Sequence, residues 1–249
     1  MASISVIIPY FKKKNFIKKA INSVLSQSFK KFEIIIIYDD NNKKDLDFIK
    51  KLKNFDKRIK LIINEKNIGA GYSRNKGINL SNAEYICFLD ADDTWKKNKL
   101  KKQLEFMKRE KVLFSHTSYE IINTNNEVVS FRKARKFSKV DDLLPSCDIG
   151  LSTVMIKRSI LNGLKFPKLR TKEDFVLWLK LLKKGIKIYP LDQKLTKWTK
   201  DPYSLSSNTI QKLKDGFKVY NQYMKFDYIK SLYFLFLLSC NYLKKSKWK

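Results

Sequence analysis

The chain has a single histidine, His116, and only three cysteines, Cys87, Cys147 and Cys240, among its 249 residues. An odd number of scattered cysteines with no Cys-x-x-Cys spacing excludes a disulfide framework and a structural zinc site, and fits a reducing compartment. One histidine beside the apolar run from Val112 to Ser115 supports no Ser/His/Asp catalytic set, so a structural role is expected for it. Also missing are a basic leader ahead of a long apolar core, an internal repeat and a Gly/Ser/Pro-rich linker. The sequence therefore reads as a cytoplasmic protein built around one core, with its first strand starting at Ile4.

Acidic residues are few. The 24 Asp and Glu stand against 53 Lys and Arg, a formal net charge of +29. Such a field attracts phosphates, anionic lipid or nucleic acid. The bland reading is an A- and T-rich coding sequence, because Lys, Asn and Ile are all abundant, which would leave much of the charge on a solvated surface. A hydrophobic fraction of 43% and an aromatic fraction of 13% nonetheless belong to a chain that folds.

Continuous β-branched runs at Ile4–Pro9, Phe32–Tyr38, Lys60–Asn64 and Tyr85–Leu89 alternate with helical patterns at Phe16–Leu25, Asp45–Leu52 and Tyr72–Leu80. Runs of that kind are strands buried on both faces, as in a parallel sheet covered by helices. Residues 1–93 thus read as a doubly wound, Rossmann-like nucleotide-binding half. A Lys-rich helix (Lys97–Glu110), mixed strands between Val112 and Phe131 and a strand at Thr153–Lys157 continue it into a mixed central sheet. Beyond Pro202 the pattern is helical.

Asp90, Asp92 and Asp93 follow the Tyr85–Leu89 strand directly, at the carboxyl end where open α/β sheets bind ligands. Like charges packed so closely repel, and a divalent cation with oxygen ligands is the natural compensation. A helix cap at Asp93 or Thr94 explains one acid but not three. Asp90-Ala91-Asp92-Asp93-Thr94 also fits the nucleophile motif of haloacid-dehalogenase-type phosphatases, with Asp90 as nucleophile. Three strands precede it here, and no Gly-Asp-x-x-x-Asp follows.

Together the motifs resemble the family 2 glycosyltransferases, which have the GT-A fold, in order over residues 4–185. The resemblance rests on Val6-Ile7-Ile8-Pro9-Tyr10, Ser23-Val24-Leu25-Ser26-Gln27, Tyr38-Asp39-Asp40-Asn41-Asn42, Asn67-Ile68-Gly69 with Ser73-Arg74-Asn75-Lys76-Gly77, Leu89 to Asp93, and Glu173-Asp174-Phe175 to Leu182. It implies a nucleotide-sugar donor, UDP-linked, held by Pro9, Asp39, Arg74, Asp90 and Asp92. It further implies Mn2+ or Mg2+ on Asp92 and Asp93, and Asp174 as the base of an inverting transfer to a glycan or lipid-linked acceptor in cell-surface polysaccharide or lipopolysaccharide synthesis. Glu173 and Trp95 are the expected acceptor contacts. Asn41-Asn42 stands where the family has Gly-Ser, and asparagine tolerates the left-handed conformation such a turn uses. The Gln-x-x-Arg-Trp segment of processive relatives is absent, which implies single transfers.

The expected organisation is a catalytic domain at 1–201, with a nucleotide-binding half at 1–93 and an acceptor half at 94–201, then a basic helical region at 202–249. Ser231 to Leu243 is largely apolar and is followed by Lys244, Lys245, Lys247, Trp248 and Lys249. It falls short of the roughly 20 apolar residues that span a bilayer. It either lies on the anionic inner face of the cytoplasmic membrane or packs against protein. A basic nucleic-acid-binding protein is the non-enzyme alternative, but no recognition motif supports it and no nucleic-acid partner is expected.

Overall fold

A computed structural model of the chain describes residues 2–201, 204 and 208–246. Strand β1 (Ile4–Tyr10), helix α1 (Lys14–Leu25), β2 (Phe32–Tyr38), α2 (Lys43–Lys53), β3 (Ile59–Ile63), α3 (Ala70–Leu80) and β4 (Tyr85–Phe88) follow the expected alternation. Every residue of β2 is buried, as its unbroken isoleucine run requires. In α1, Ile17, Ala20, Ile21 and Val24 recur at helical spacing and make the inward face. β1 pairs in parallel with β2 on one side and β4 on the other, and β2 pairs with β3.

Next come β5 (Thr94–Trp95), α4 (Lys99–Arg109), β6 (Phe114–Ile122), β7 (Val128–Arg132), α5 (Val140–Leu143), β8 (Val154–Lys157), α6 (Glu173–Lys183) and β9 (Tyr189–Thr199). Among the described residues the strands form one nine-stranded sheet in the order β3-β2-β1-β4-β8-β6-β9-β5, with β7 beside β6. β8 runs antiparallel to both β4 and β6, so the sheet changes from parallel to mixed at β4. β9 pairs in parallel with β6 and antiparallel with β5, and returns the chain to the acid cluster.

The centre of the sheet is buried on both faces. Ile4, Val6, Ile8 and Tyr10 of β1 pack with α1, α2 and α4 on one side. Ile7 of β1 joins Phe88, α6 and the C-terminal helices on the other. Gly77 of α3 lies so close to β1 that a Cβ there would meet Ile7 Cγ2 at 2.5 Å. The C-terminal part forms α7 (Thr209–Lys218), a π-helical turn (Val219–Tyr223) and α8 (Tyr228–Ser246). These helices are fastened to the α5 region by Tyr220, whose hydroxyl donates to Leu144 O at 2.7 Å, and by Asn241 Nδ2 to Pro145 O at 2.9 Å. No helix among the described residues is long and apolar enough to cross a membrane. Lys247, Trp248 and Lys249 of the expected basic tail lie outside the described residues.

Two local alternatives are decided by the structure. Asn42 is not left-handed: it is extended, with φ −77°, and caps α2, its side chain accepting from the amides of Lys44 and Asp45. Nor do Asp93 or Thr94 cap a helix, since α4 starts at Lys99 and Thr94 belongs to β5.

Candidate active site

β1 is the switch point of the parallel half, flanked by β2 and β4, and the loops leaving β2 and β4 carry the acids to its carboxyl edge. Pro9 sits half-buried near the end of β1, opposite Ile37 of β2. On the other side the ladder to β4 ends with the Leu89 amide on Ile7 O, and Pro9, which has no amide to donate, marks where it stops.

Asp39 is buried with both carboxylate oxygens engaged. Oδ1 accepts from Asn64 Nδ2 and the Ile68 amide, and Oδ2 from the Gly69 amide, each at 2.8 Å. It thereby ties β2 to the entrance of α3, where Gly69 takes a positive φ of 87° that favours glycine. Asp40 works likewise, accepting from the amides of Lys12 and Asn41 at 3.0 and 2.7 Å. In this structure both acids shape the wall of the site.

Arg74 is the hub. It is 4% exposed, and its guanidinium donates to Glu173 Oε1 at 2.5 Å and to Asp90 Oδ1 at 2.7 Å, joining α3, the end of β4 and the start of α6. Nε has no hydrogen-bond partner among the described residues. Its neighbour Asn75 pins the approach to α6 by a reciprocal pair with Phe166, both bonds at 2.9 Å. Gly71 allows that approach, because a Cβ there would meet Glu173 Cγ and Pro167 O at 3.2 Å. Glu173 was expected at the acceptor. It is buried instead against Arg74 and orients the guanidinium.

The remaining acids divide. Asp92 is half-buried and paired with Lys13 Nζ at 2.9 Å, and the same ammonium reaches Asp201 Oδ2 at 2.6 Å. Burial and the charge of Asp90 raise the Asp92 pKa against the opposing pull of Lys13. Asp93, expected as a metal ligand, is turned inward. It is 1% exposed, and its oxygens accept from Ser152 Oγ at 2.6 Å and the Thr199 amide at 2.9 Å, which fastens the acid loop to β9. Burial and the charges of Asp92 and Asp90 push its pKa well above the usual carboxylate value. Trp95 is corrected too. It is buried, donates from Nε1 to Ser152 O at 2.7 Å and lies under Lys99 Nζ at 3.8 Å, so no face is open to stack on a sugar. Among the described residues no three His, Cys, Asp or Glu side chains converge to hold a metal ion by themselves.

Asp174 occupies the first turn of α6, half-buried, with Oδ1 accepting from the Phe175 amide at 2.7 Å. Burial and the adjacent Glu173 charge push its pKa up to about 7, against the opposing influence of Arg74. A carboxylate poised near neutrality at the carboxyl edge of such a sheet is suited to accept a proton. The structure thus brings Arg74, Asp90, Glu173 and Asp174 into one charged group, with Asp92 alongside. Sequence reasoning missed Lys13, Asp201 and Thr199. The last two sit at the end of β9, and that strand carried no recognised signal.

Residues 5–164 match the family model described as Glycosyl transferase family 2. The chain belongs to that family. It is 34% identical over 243 residues, covering 97% of this chain and 96% of the relative, to the putative teichuronic acid biosynthesis glycosyltransferase TuaG of Bacillus subtilis. It is also 34% identical over 223 residues, covering 89% and 87%, to WfgD of Escherichia coli, a UDP-Glc:alpha-D-GlcNAc-diphosphoundecaprenol beta-1,3-glucosyltransferase. Its fold is similar to that of the S. aureus TarS fragment in complex with UDP-GlcNAc, with a TM-score of 0.74 at 21% identity over 94% of this chain and 70% of that one. A mannosyltransferase, PcManGT from Pyrobaculum calidifontis in complex with GDP-Man and Mn2+, gives a TM-score of 0.69 at 12% identity over 90% and 65%.

This glycosyltransferase therefore has the GT-A fold that its motifs led one to expect. Family membership overturns the phosphatase alternative.

Proposed function

We propose that this glycosyltransferase transfers a sugar, with inversion, from a UDP-linked donor to a lipid-linked glycan acceptor in cell-surface polysaccharide synthesis, with Asp174 as base. The observation that carries this reading is the placement of Asp174 in the first turn of α6, beside the Arg74–Glu173–Asp90 group, and burial there favours a carboxyl that can accept a proton. TuaG and WfgD support the substrate class, the first by teichuronic acid biosynthesis and the second by its UDP-Glc donor and diphosphoundecaprenol acceptor.

In this reading the acceptor hydroxyl oxygen attacks the anomeric carbon as its proton passes to Asp174. The bond from that carbon to the donor phosphate breaks, and UDP leaves with the electron pair. Asp90 and Asp92 offer hard carboxylate oxygens, and acids outnumber Lys13 and Arg74 around them, a donor set that fits Mn2+ or Mg2+ completed by phosphate oxygens. When bound, such an ion stabilises the charge of the departing diphosphate. Arg74 and Lys13 supply the chain's own positive charge at this edge.

We infer further that the C-terminal helices meet an anionic membrane surface. One face of α8 packs inward through Ser231, Leu235 and Leu238. The other leaves Ile229 81% and Phe236 66% exposed, with Leu232, Tyr233 and Leu243, and Ile210 and Leu213 of α7 are exposed as well. Lys212 and Lys230 lie over the Tyr242 and Phe226 rings, so cations and aromatics border it. The helix thus serves both readings open from sequence, one per face.

A screen of UDP-sugars with an undecaprenyl-diphosphate-linked acceptor and Mn2+ tests the function. The expected product has a β linkage from an α-linked donor by NMR. Retention of configuration, or full transfer by Asp174→Asn, would overturn the mechanism.

A further inference from the structure

We propose that Asp215, on α7, is a positioning residue for the catalytic base, fixing the Thr171–Lys172 turn from which Asp174 is presented. The proposal rests on the reading of Asp174 as base.

Asp215 lies 41 residues beyond Asp174 in sequence, outside the 5–164 family match, yet it is 1% exposed and faces the start of α6. Its Oδ2 accepts both hydrogen bonds that Thr171 can donate to it, from the amide at 2.9 Å and from the hydroxyl at 3.0 Å. Thr171 is itself buried. The next residue, Lys172, adopts a left-handed conformation, φ 62° and ψ 17°, and caps α6 without any side-chain bond of its own. A lysine avoids that region unless its surroundings impose it. Here the constraint on one side is Asp215 gripping Thr171, and on the other the helix that starts at Glu173.

Gly216 continues the contact. A Cβ there would meet Leu235 Cδ1 of α8 at 2.9 Å, and Lys172 Cε lies 3.7 Å from that point. The α7–α8 pair is therefore wedged against the turn, and the line of contact runs from Leu235 through Gly216 and Asp215 to Thr171 and Lys172. Entry into α6 sets where both Glu173 and Asp174 point. Glu173 is held a second time by Arg74, whereas among the described residues the Asp174 carboxylate is held by the Phe175 amide alone, so a loosened turn falls mainly on the base. The charged and titratable groups around Asp174 are Glu173 and Lys172 on its own element, Arg74 from α3 and Tyr119 from β6.

The test compares Asp215→Ala, Asp215→Asn, Thr171→Val and Asp174→Asn with the wild type. Transfer is followed by UDP release, and UDP binding with Mn2+ by calorimetry. Asp215→Ala is expected to lower kcat on the order of 10- to 100-fold, the scale of a small displacement of a reacting group, with UDP affinity unchanged. The acidic limb of its kcat–pH profile should move down toward the ordinary carboxylate range as water reaches Asp174. Asp215→Asn, which keeps an acceptor oxygen, should recover most of the rate. If Asp215→Ala does not fold, Thr171→Val decides, since it removes the hydroxyl bond alone: a lower kcat with unchanged UDP affinity supports the proposal. Wild-type kcat and pH profile in folded Asp215→Ala or Thr171→Val would overturn it, as would a parallel loss of UDP affinity. If Asp174→Asn itself remains active, the base assignment fails first. If Asp174→Asn is inactive while the Asp215 and Thr171 variants behave as wild type, only the positioning role fails.

Discussion

Replacing Asp174 with Asn should make the protein more stable at alkaline pH while abolishing transfer. Burial and the neighbouring Glu173 charge raise its folded pKa from 3.8 to about 7. A raised carboxylate pKa means that the native state keeps a proton the unfolded chain has released. Below the unfolded value both states are protonated and the site costs nothing. As pH rises from about 4 to about 7 the native state loses stability progressively, and above that the loss is complete. The full displacement corresponds to about 4 kcal/mol, of which about 2 is already present near pH 5. Asp174 keeps some access to solvent, and halving these figures for screening leaves a further loss of ~1 kcal/mol between about pH 5 and pH 8. Asparagine preserves an acceptor for the Phe175 amide without the charge. Urea denaturation of both proteins across this range, with m-values compared to exclude changes in the unfolded state, should show a gap in favour of Asp174→Asn that widens with pH. A gap independent of pH, or a wild type more stable than the variant at about pH 8, would refute the burial argument.

Lys13→Met strips Asp92 and Asp201 of a shared cation, so the folded protein should lose thermal stability and regain part of it with Mn2+, read as a larger metal-induced rise in Tm than in the wild type. Gly77→Ala drives a methyl into Ile7 and should cost about 1–3 kcal/mol by urea titration, with UDP affinity per folded molecule retained. Arg74→Lys keeps the charge but replaces a fork by a point donor, so either Glu173 or Asp90 loses its partner; kcat should fall by at least ~10-fold, and wild-type kinetics would show that the fork is dispensable. Flotation with anionic vesicles should retain the full-length protein at low salt and release it as salt rises. Ile229→Asp with Phe236→Asp, both on the outward face of α8, should weaken binding without unfolding the chain. Failure of the full-length protein to bind at low salt would end the membrane reading but leave the transferase untouched.

Much of the parallel half was legible because its information is local. An unbroken run such as Phe32–Tyr38 has little choice but to be a buried strand, and Ile17, Ala20, Ile21 and Val24 declare a helix face by their spacing. The acids after β4 announced themselves by clustering where open sheets bind ligands. β9 escaped notice because Tyr189–Thr199 mixes proline, lysine and aspartate and is stabilised by partners distant in sequence, β6 and β5. The π-helical turn and the role of Asp215 escaped for the same reason.

Sequence by itself determined which side chains carry charge at the carboxyl edge and that one of them opens α6. Only the tertiary structure decided how those charges are shared. It turned Asp93 inward onto Ser152 and Thr199, set Glu173 on Arg74 rather than on an acceptor, brought Lys13 between Asp92 and Asp201, and left Asp174 with a raised pKa. The physical reason is that a carboxylate's task follows from its burial and from the donors within reach, and those donors come from residues dozens of positions away, brought near only when the sheet and the C-terminal helices close around the site.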